Sequence, residues 1–166
     1  MSPDKKEKNM HLPPEVSELI DQIGQLMKHW GFKKIHGEIW SCLYLSDSPL
    51  DASAIIGRLD VSKSLISMTL SELIDMNLVF QEKDKSMTGT FLYRANTDIS
   101  EVIFNILRYR ERRIFAKLNS SYSLVETLPQ GETKKWNLNS ERIKDFGKFI
   151  EQAESLISKM LTGKAS

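Results

Sequence analysis

The stretch that decides the fold runs from residue 60 to residue 79 and reads DVSKSLISMTLSELIDMNLV. Its apolar residues recur at three- and four-residue spacing, which predicts a helix with one buried side. Ser62 is the predicted N-cap, and the helical run is expected to end at Asn77. The buried side comprises Ile66, Leu70, Leu73 and Ile74. The opposite side carries Ser64, Met68, Ser71 and Asp75, flanked by Leu65 and Ser67.

The segments before this helix predict two longer helices and a short one. The first long helix follows Pro13 and Pro14, and Pro14 suits a first helical position. The short helix covers residues 52–59, with Asp51 as its N-cap, after a turn at residues 46–51. The expected inward residues of the first helix are Val16, Leu19, Ile20, Ile23, Leu26 and Met27. Those of the second are Ile35, Ile39, Cys42 and Leu43, with Leu45 as a further candidate.

The segments after residue 77 complete the pattern of a winged helix-turn-helix. Two short β-prone runs, residues 78–83 and 90–95, flank a loop that contains Gly89, which predicts a hairpin. Helical spacing returns from Asp98 to Leu118, with Asp98 as N-cap and Glu101 in a box-like position. Residues 125–137 break the helical pattern, and a last amphipathic helix is predicted from residue 140 to residue 161.

The predicted fold is therefore mainly α with a small β-hairpin wing, a winged helix-turn-helix followed by long C-terminal dimerisation helices. The expected organisation is a disordered tail at residues 1–13, a DNA-binding domain at 14–97 and a helical dimerisation region at 98–166. The chain is 40% hydrophobic and 27% charged, values typical of a soluble globular protein. A single cysteine excludes an intrachain disulfide and suits the cytoplasm. No apolar run approaches the ~20 residues that span a bilayer, so no membrane partner is expected.

The small outer face of the central helix suits a DNA major groove, which is about 12 Å wide. Lys63 and the free amides of the first helical turn suit phosphates. Ser64 and Ser67 can hydrogen-bond base edges, and Leu65 or Met68 can touch a thymine methyl group. The predicted DNA-binding residues are Ser62, Lys63, Ser64, Leu65, Ser67, Met68, Ser71, Lys83 and Lys85.

The alternative is a winged helix that binds another protein and no DNA. Serines on a helix surface are often only solvated, and an exposed Met68 can pack against a neighbouring element. Between residues 50 and 94 the acidic side chains outnumber the basic ones. The module therefore lacks the strongly basic face that most DNA-binding domains carry.

Residues 17–115 resemble the GbsR branch of the MarR-type winged-helix transcription regulators. Residues 18–50 resemble the N-terminal helix pair of that family, including Gly37, and residues 97–114 resemble the helix after its wing. Residues 61–79 resemble its recognition helix, through Val61, Ser62, Lys63, Ser67, Met68, Leu70, Glu72 and Leu73. The chain departs from the family at Ser64-Leu65, where Gly-Asn is frequent, and in a wing that is poor in Arg and Lys.

The resemblance implies a cytoplasmic, homodimeric regulator that binds double-stranded DNA, in most members a repressor. The expected function is therefore sequence-specific repression at a pseudo-palindromic operator. The predicted dimerisation residues lie on the last helix and are Ile143, Phe146, Phe149, Ile150 and Leu156.

Some members of the family sense small osmolyte-related molecules, so a small-molecule effector is a further expected partner. Aromatic faces can hold a cation. The candidate effector residues are Trp30, Trp40, Tyr44, Phe104 and Tyr109. Because aromatic residues at helical spacing usually fill a core, the simpler interpretation of most of them is packing.

The sequence gives no support to an enzyme. His11, His29 and His36 are scattered, without the His, Cys or carboxylate spacing of a metal site. Cys42 lies on a predicted buried face and is interpreted as a core residue. There is no glycine-rich phosphate loop. No catalytic residue, metal or cofactor is expected.

Overall fold

The structure, a computed structural model, describes residues 11–163, which form seven helices and three strands. Most of the predicted N-terminal tail lies outside this range. The chain divides into two compact units, with the division between Asn105 and Ile106. The helices are α1 (Pro14–His29), α2 (Lys34–Tyr44), α3 (Ala52–Leu59), α4 (Lys63–Asp75), α5 (Ile99–Glu126), α6 (Gln130–Lys135) and α7 (Ser140–Thr162). The strands are β1 (Leu50–Asp51), β2 (Val79–Lys83) and β3 (Phe91–Ala95).

In the first unit, α1 and α2 cross at a pair of glycines. A Cβ atom added to Gly37 would lie 2.5 Å from the carbonyl oxygen of Ile23 and 2.9 Å from the Cα of Gly24. Those neighbours are backbone atoms, which cannot move aside without shifting a helix. The two backbones can therefore approach this closely only because neither glycine carries a side chain. Next to the crossing, Ile20 and Met27 of α1 are buried.

Three residues predicted to point inward are exposed. Leu19 and Leu26 of α1 are 49% and 43% exposed, and Leu45, which ends α2, is 48% exposed. Those three predictions are wrong for the single chain. The apolar residues of α1 cover more of its circumference than one neighbouring helix can bury. The crossing at Gly24 selects the side that carries Ile20 and Met27.

The helix-turn-helix forms where the sequence predicts it, and both predicted N-caps are confirmed. The Asp51 carboxylate accepts a hydrogen bond from the Ala54 amide at 2.7 Å, and the Ser62 hydroxyl accepts one from the Leu65 amide at 3.3 Å. Asp60 joins the two helices with a left-handed backbone, φ 52°. Asn77 follows α4 in the same conformation, φ 56°.

The predicted inner side of α4 is confirmed at Ile66, Leu70 and Leu73, each at most 2% exposed. Ile74 is half-buried. Thr69 is fully buried as well, which the apolar pattern did not predict. Its hydroxyl donates to the carbonyl oxygen of Leu65 at 2.7 Å, so the buried polar group has a partner on its own helix.

The predicted hairpin is confirmed, and a third strand joins it. β2 and β3 pair antiparallel, with Phe80 opposite Arg94. β1 adds to the other edge of β3 and gives the order β1-β3-β2. The turn predicted at residues 46–51 is therefore wrong at Leu50–Asp51, which form β1. A strand of two residues has no alternation to detect, and its pairing depends on β3, which lies far away in the sequence.

At the start of α5 the predicted N-cap is confirmed, because the Asp98 carboxylate accepts from the Glu101 amide at 3.0 Å. Glu101 does not complete a capping box. Its carboxylate instead accepts a hydrogen bond from the side-chain nitrogen Nδ2 of Asn96 at 3.1 Å. α5 continues to Glu126, eight residues beyond the predicted end at Leu118. α6 then forms inside residues 125–137, where the pattern predicted no helix.

The second unit also contains α7, which follows the predicted range closely. It packs along α5, and at Gly147 an added Cβ would overlap the Tyr122 ring. Asn119 of α5 donates to the Glu154 carboxylate of α7 at 3.0 Å. Phe115 and Ile150 are buried in this unit. None of the described helices is both long and apolar enough to cross a membrane.

The glycine crossing predicts an asymmetry between two alanine substitutions. Gly37→Ala forces a methyl group against backbone atoms and should lower the free energy of unfolding by about 1–3 kcal/mol, as overpacking does. Gly57→Ala is the matched control, because nothing lies within 4 Å of its added Cβ in α3. Since alanine favours a helix over glycine, Gly57→Ala should raise stability by about 0.5–1 kcal/mol. Urea unfolding followed by circular dichroism measures both, and equal stabilities of the two variants would refute the steric account.

Candidate nucleic-acid interface

The predicted DNA-binding residues of α4 lie together on an exposed surface. Leu65 alone among them is half-buried, and the long apolar side chain of Met68 is 49% exposed. The exposed members are Ser62, Lys63, Ser64, Ser67, Met68 and Ser71. Apart from Lys63 and Met68, these side chains are short. We name this surface the serine face of α4.

The N-terminus of α4 offers donors next to the serine face. The first backbone bond of the helix runs from the Ile66 amide to the Ser62 carbonyl at 3.1 Å. The amides of Lys63 and Ser64 precede that bond and have no acceptor within the helix. They lie at the positive end of the helix dipole, next to the Lys63 side chain, an arrangement that suits a phosphate. The Ser62 and Ser64 hydroxyl oxygens are 3.4 Å apart.

The wing is the hairpin of β2 and β3 with the loop between them, and it carries the other two predicted residues. Lys83 ends β2 and Lys85 lies in the loop, and both are exposed. Between them, Asp84 accepts from the hydroxyl and the amide of Ser86, at 2.6 and 2.8 Å. These hydrogen bonds lower the pKa of Asp84 below its usual value. The carboxylate therefore stays ionised and offsets part of the lysine charge.

Arg94 adds a cation to the wing that sequence reasoning did not assign to the site. Its side chain is exposed, and its guanidinium carbon lies 4.6 Å from the centre of the Phe80 ring on the paired strand. Such a contact holds the guanidinium over the ring. The register of the hairpin could have revealed this contact, because it places Arg94 directly opposite Phe80.

Beside the serine face, α4 is held to α2 by a cluster of polar side chains. The His36 Nε2 lies 2.5 Å from the Glu72 carboxylate, and the Lys33 ammonium lies 3.1 Å from it. His36 is 4% exposed. Partial burial alone would raise the pKa of Glu72, but the hydrogen bonds from Lys33 and His36 outweigh it and lower that pKa. We name Lys33, His36 and Glu72 the α2–α4 cluster.

The five aromatic residues predicted as an effector site are only partly brought together. Trp40 and Tyr44 stack on α2, with ring centres 4.9 Å apart and planes at 26°. The indole nitrogen of Trp40 has no hydrogen-bond partner among residues 11–163. Trp30 follows α1, Phe104 lies in α5 in the first unit, and all except Tyr44 are half-buried. Tyr109 lies in the second unit.

The predicted dimerisation residues are mostly exposed on α7. Phe146, Phe149 and Leu156 are 54%, 61% and 61% exposed, and the two phenylalanine rings are 5.9 Å apart. Ile143 is half-buried. Ile150 is 1% exposed and packs inside its own chain, so it supports this surface from behind.

An open groove of about 530 Å³ continues this surface. It lies between α5 and the start of α7. Its apolar lining includes Leu118, Val125, Leu138, Ile143 and Phe146. Near α6, Trp136 adds an indole that is 65% exposed. The second unit of the single chain thus leaves several large apolar side chains in contact with water.

Groups with reactive chemistry are few in the described part of the chain. Residues 11–163 contain no group of three or more His, Cys, Asp or Glu side chains that could hold a metal ion. Cys42 is 1% exposed, and burial raises the pKa of its thiol. A buried thiol of raised pKa behaves as a small core residue, which confirms the predicted position of Cys42 on the inward side of α2.

No protein-family model matches the chain, and no curated protein matches it. Among solved structures, the crystal structure of a transcriptional regulator is similar over 89% of this chain and 96% of its own, with 14% identity and a TM-score of 0.60. A Staphylococcus aureus MepR–DNA complex is similar over 83% of this chain and 93% of its own, with 17% identity and a TM-score of 0.42. AbsC, a MarR family transcriptional regulator from Streptomyces coelicolor, is similar over 83% and 88%, with 18% identity and a TM-score of 0.42. The first similarity establishes a shared fold.

Proposed function

We propose that this protein is a DNA-binding transcription regulator that reads double-stranded DNA with α4. The observation that carries the proposal is the contrast between the two sides of that helix. One side is buried and fixes α4 on the domain, and the serine face projects small polar side chains beside a free helix N-terminus and Lys63. A helix with short outer side chains can approach base edges closely in the major groove.

Within this function, each exposed residue of the site has a role. Lys63 and the first amides of α4 bind phosphate, while Ser64, Ser67 and Ser71 contact base edges. Leu65 or Met68 contacts a thymine methyl group. Lys83 and Lys85 of the wing, together with Arg94, bind the phosphates of the flanking groove. Ser62 caps the helix N-terminus, next to the amides that bind the DNA phosphate.

We further propose a cytoplasmic, homodimeric repressor of the GbsR branch of MarR-like regulators. The support is the resemblance of residues 17–115 to that family, set beside the winged-helix fold. A two-fold dimer would present two recognition helices to half-sites about 34 Å apart, hence a pseudo-palindromic operator. The partner chain would cover Phe146, Phe149 and Leu156, with Ile143 at the edge of that surface.

A direct binding experiment distinguishes the proposed regulator from the alternative, a winged helix that binds a protein and no DNA. Fluorescence polarisation with the upstream region of the protein's own gene, against a scrambled duplex of equal length, measures specific binding. Preference for the upstream duplex supports the regulator. Failure to bind either duplex at low salt would favour the protein-binding module.

Lys63→Ala tests α4 as the reader of DNA. The substitution removes one phosphate contact, so affinity should fall alike for all duplexes, and the slope of log K against log salt should decrease by about one. Lys144→Ala is the control, because Lys144 is exposed on α7, far from α4 in the sequence. Ser67→Ala should instead change preference at one or two base pairs by at most ~1–3 kcal/mol. Identical salt slopes for wild type and Lys63→Ala would contradict the proposal that α4 contacts DNA.

Phe149→Asp tests the dimer surface. A carboxylate in the centre of an apolar interface loses its hydration, which costs several kcal/mol unless it is paired. We expect this variant to sediment as a monomer at concentrations where the wild type is dimeric. Lys148→Asp is the control, since Lys148 is its exposed neighbour and its ion pair with Asp145 lies at the surface. A Phe149→Asp dimer as tight as the wild type would place the interface elsewhere.

The effector proposal rests on the Trp40–Tyr44 stack, with Trp30, Phe104 and Tyr109 as the other candidates. A quaternary amine held by the Trp40 and Tyr44 rings would gain roughly 0.5–2 kcal/mol per aromatic face. Choline and glycine betaine should therefore raise the melting temperature of the wild type and alter its affinity for DNA. Trp40→Leu should abolish both effects, whereas Trp136→Leu, at an exposed indole on the other unit, should retain them. A wild type that neither ligand stabilises, with unchanged DNA binding, would indicate a regulator without such an effector.

A further inference from the structure

The α2–α4 cluster is the polar part of an otherwise apolar contact. In the neutral ring, the backbone amide of Lys33 donates to the His36 Nδ1 at 3.2 Å, which leaves the ring proton on Nε2. Nε2 then donates to the Glu72 carboxylate at 2.5 Å. The Lys33 ammonium donates to the same carboxylate from its exposed side. Every member of the cluster thus has a partner in the other helix or in its own chain segment.

The cluster supplies directional contacts that the apolar packing of α4 lacks. Burial of Ile66, Leu70 and Leu73 stabilises α4 against the domain, but the hydrophobic effect has no preferred direction. A small rotation or slide that keeps these side chains buried therefore costs less in apolar contacts than it does in hydrogen bonds. Hydrogen bonds at 2.5 and 3.1 Å weaken steeply with small displacements. They therefore define the rotation of α4 relative to α2.

That rotation decides where the serine face points. Glu72 follows Met68 by four residues, so the two lie on the same side of α4, one helical turn apart along its axis. Because α4 is a continuous helix, turning it at Glu72 moves Ser64, Ser67 and Ser71 together. A shift of the order of 1 Å is enough to break a hydrogen bond to a base edge, whereas a flexible lysine can still follow a phosphate.

We propose that Glu72 is a positioning residue which, through His36 and Lys33, sets the rotation of α4 and thereby the base preference of the serine face. Glu72 itself touches no DNA in this proposal. The inference rests on the proposed function, because it concerns how the same helix selects its sequence. It also makes a statement about the free protein, the orientation of α4, that holds whether or not DNA is the ligand.

The first experiment compares Glu72→Ala with Glu72→Gln and with the control Asp75→Asn. Each is measured in polarisation assays on a preferred duplex and on duplexes with single base-pair changes. Glu72→Ala should reduce the ratio of preferred to altered duplex by about tenfold, on the order of one lost base-pair contact. Glu72→Gln keeps an acceptor for His36 and should retain most of the ratio. Asp75→Asn removes the same charge from an exposed position of α4 and should leave the ratio unchanged.

The second experiment uses no DNA and separates this proposal from the proposed function. Amide ¹H–¹⁵N spectra of the full chain report on residues 63–71 in each variant. Glu72→Ala should shift or broaden the amides throughout residues 63–71, whereas Asp75→Asn should affect only its neighbours. Should Glu72→Ala fail to fold, Lys33→Met removes one of the two bonds and should give the same pattern at smaller amplitude.

The outcomes decide the two proposals independently. A folded Glu72→Ala protein with a wild-type ratio and wild-type α4 amides overturns the positioning role. An Asp75→Asn protein that loses as much preference as Glu72→Ala would also overturn it, because charge alone would then be responsible. If the wild type binds no duplex, the proposed function fails, and the amide spectra alone decide whether the cluster orients α4.

Discussion

The first unit depends on the absence of side chains where α1 and α2 cross. With a Cβ at Gly37 the backbone of α1 would have to retreat, since the nearest atoms are the Ile23 carbonyl and the Gly24 Cα. α2 is also the element that contacts α1, α3, α4 and β3. A displacement of α2 would therefore be passed to the helix-turn-helix and to the wing together. The glycine pair therefore fixes the position of α2, against which α4 and the hairpin are placed.

Two kinds of interaction hold α4 on the domain, and each has a different effect. Full burial of Ile66, Leu70 and Leu73 contributes roughly 1.5–3 kcal/mol per side chain and explains why the helix stays attached. The α2–α4 cluster adds less attachment, because removing charges from water opposes their attraction. It adds direction. Ser64, Ser67 and Ser71 take part in neither interaction, so the packing of α4 does not require larger side chains at these positions.

The sequence predicted those features whose causes lie within a few residues of each other. The caps at Asp51, Ser62 and Asp98 were predicted because each joins a side chain to an amide three residues away. Exposure of Leu19 and Leu26 could not be predicted, since the crossing with α2 decides which side of α1 is buried. β1 could not be predicted because it depends on pairing with β3. α6 was missed because Pro129, which precedes it, normally interrupts a helical pattern. The contact of His36 with Glu72 joins residues 36 positions apart, and no local spacing reveals it.

The charge of the site constrains how such a protein could bind DNA. The whole chain carries a formal net charge of only +1, so association gains little from long-range attraction. One module offers Lys63, Lys83, Lys85 and Arg94, enough to neutralise about four phosphates, which gives a salt slope of about −3.6. A fourfold rise in salt would then weaken binding by about two orders of magnitude for one module and about four for two linked modules. Because linkage makes the second contact intramolecular, two weakly charged modules can bind tightly where one cannot. Under the proposed function, the sparse charge on α4 and the wing therefore favours a dimer through the exposed apolar surface of α7, because a single serine face would dissociate from DNA at moderate salt.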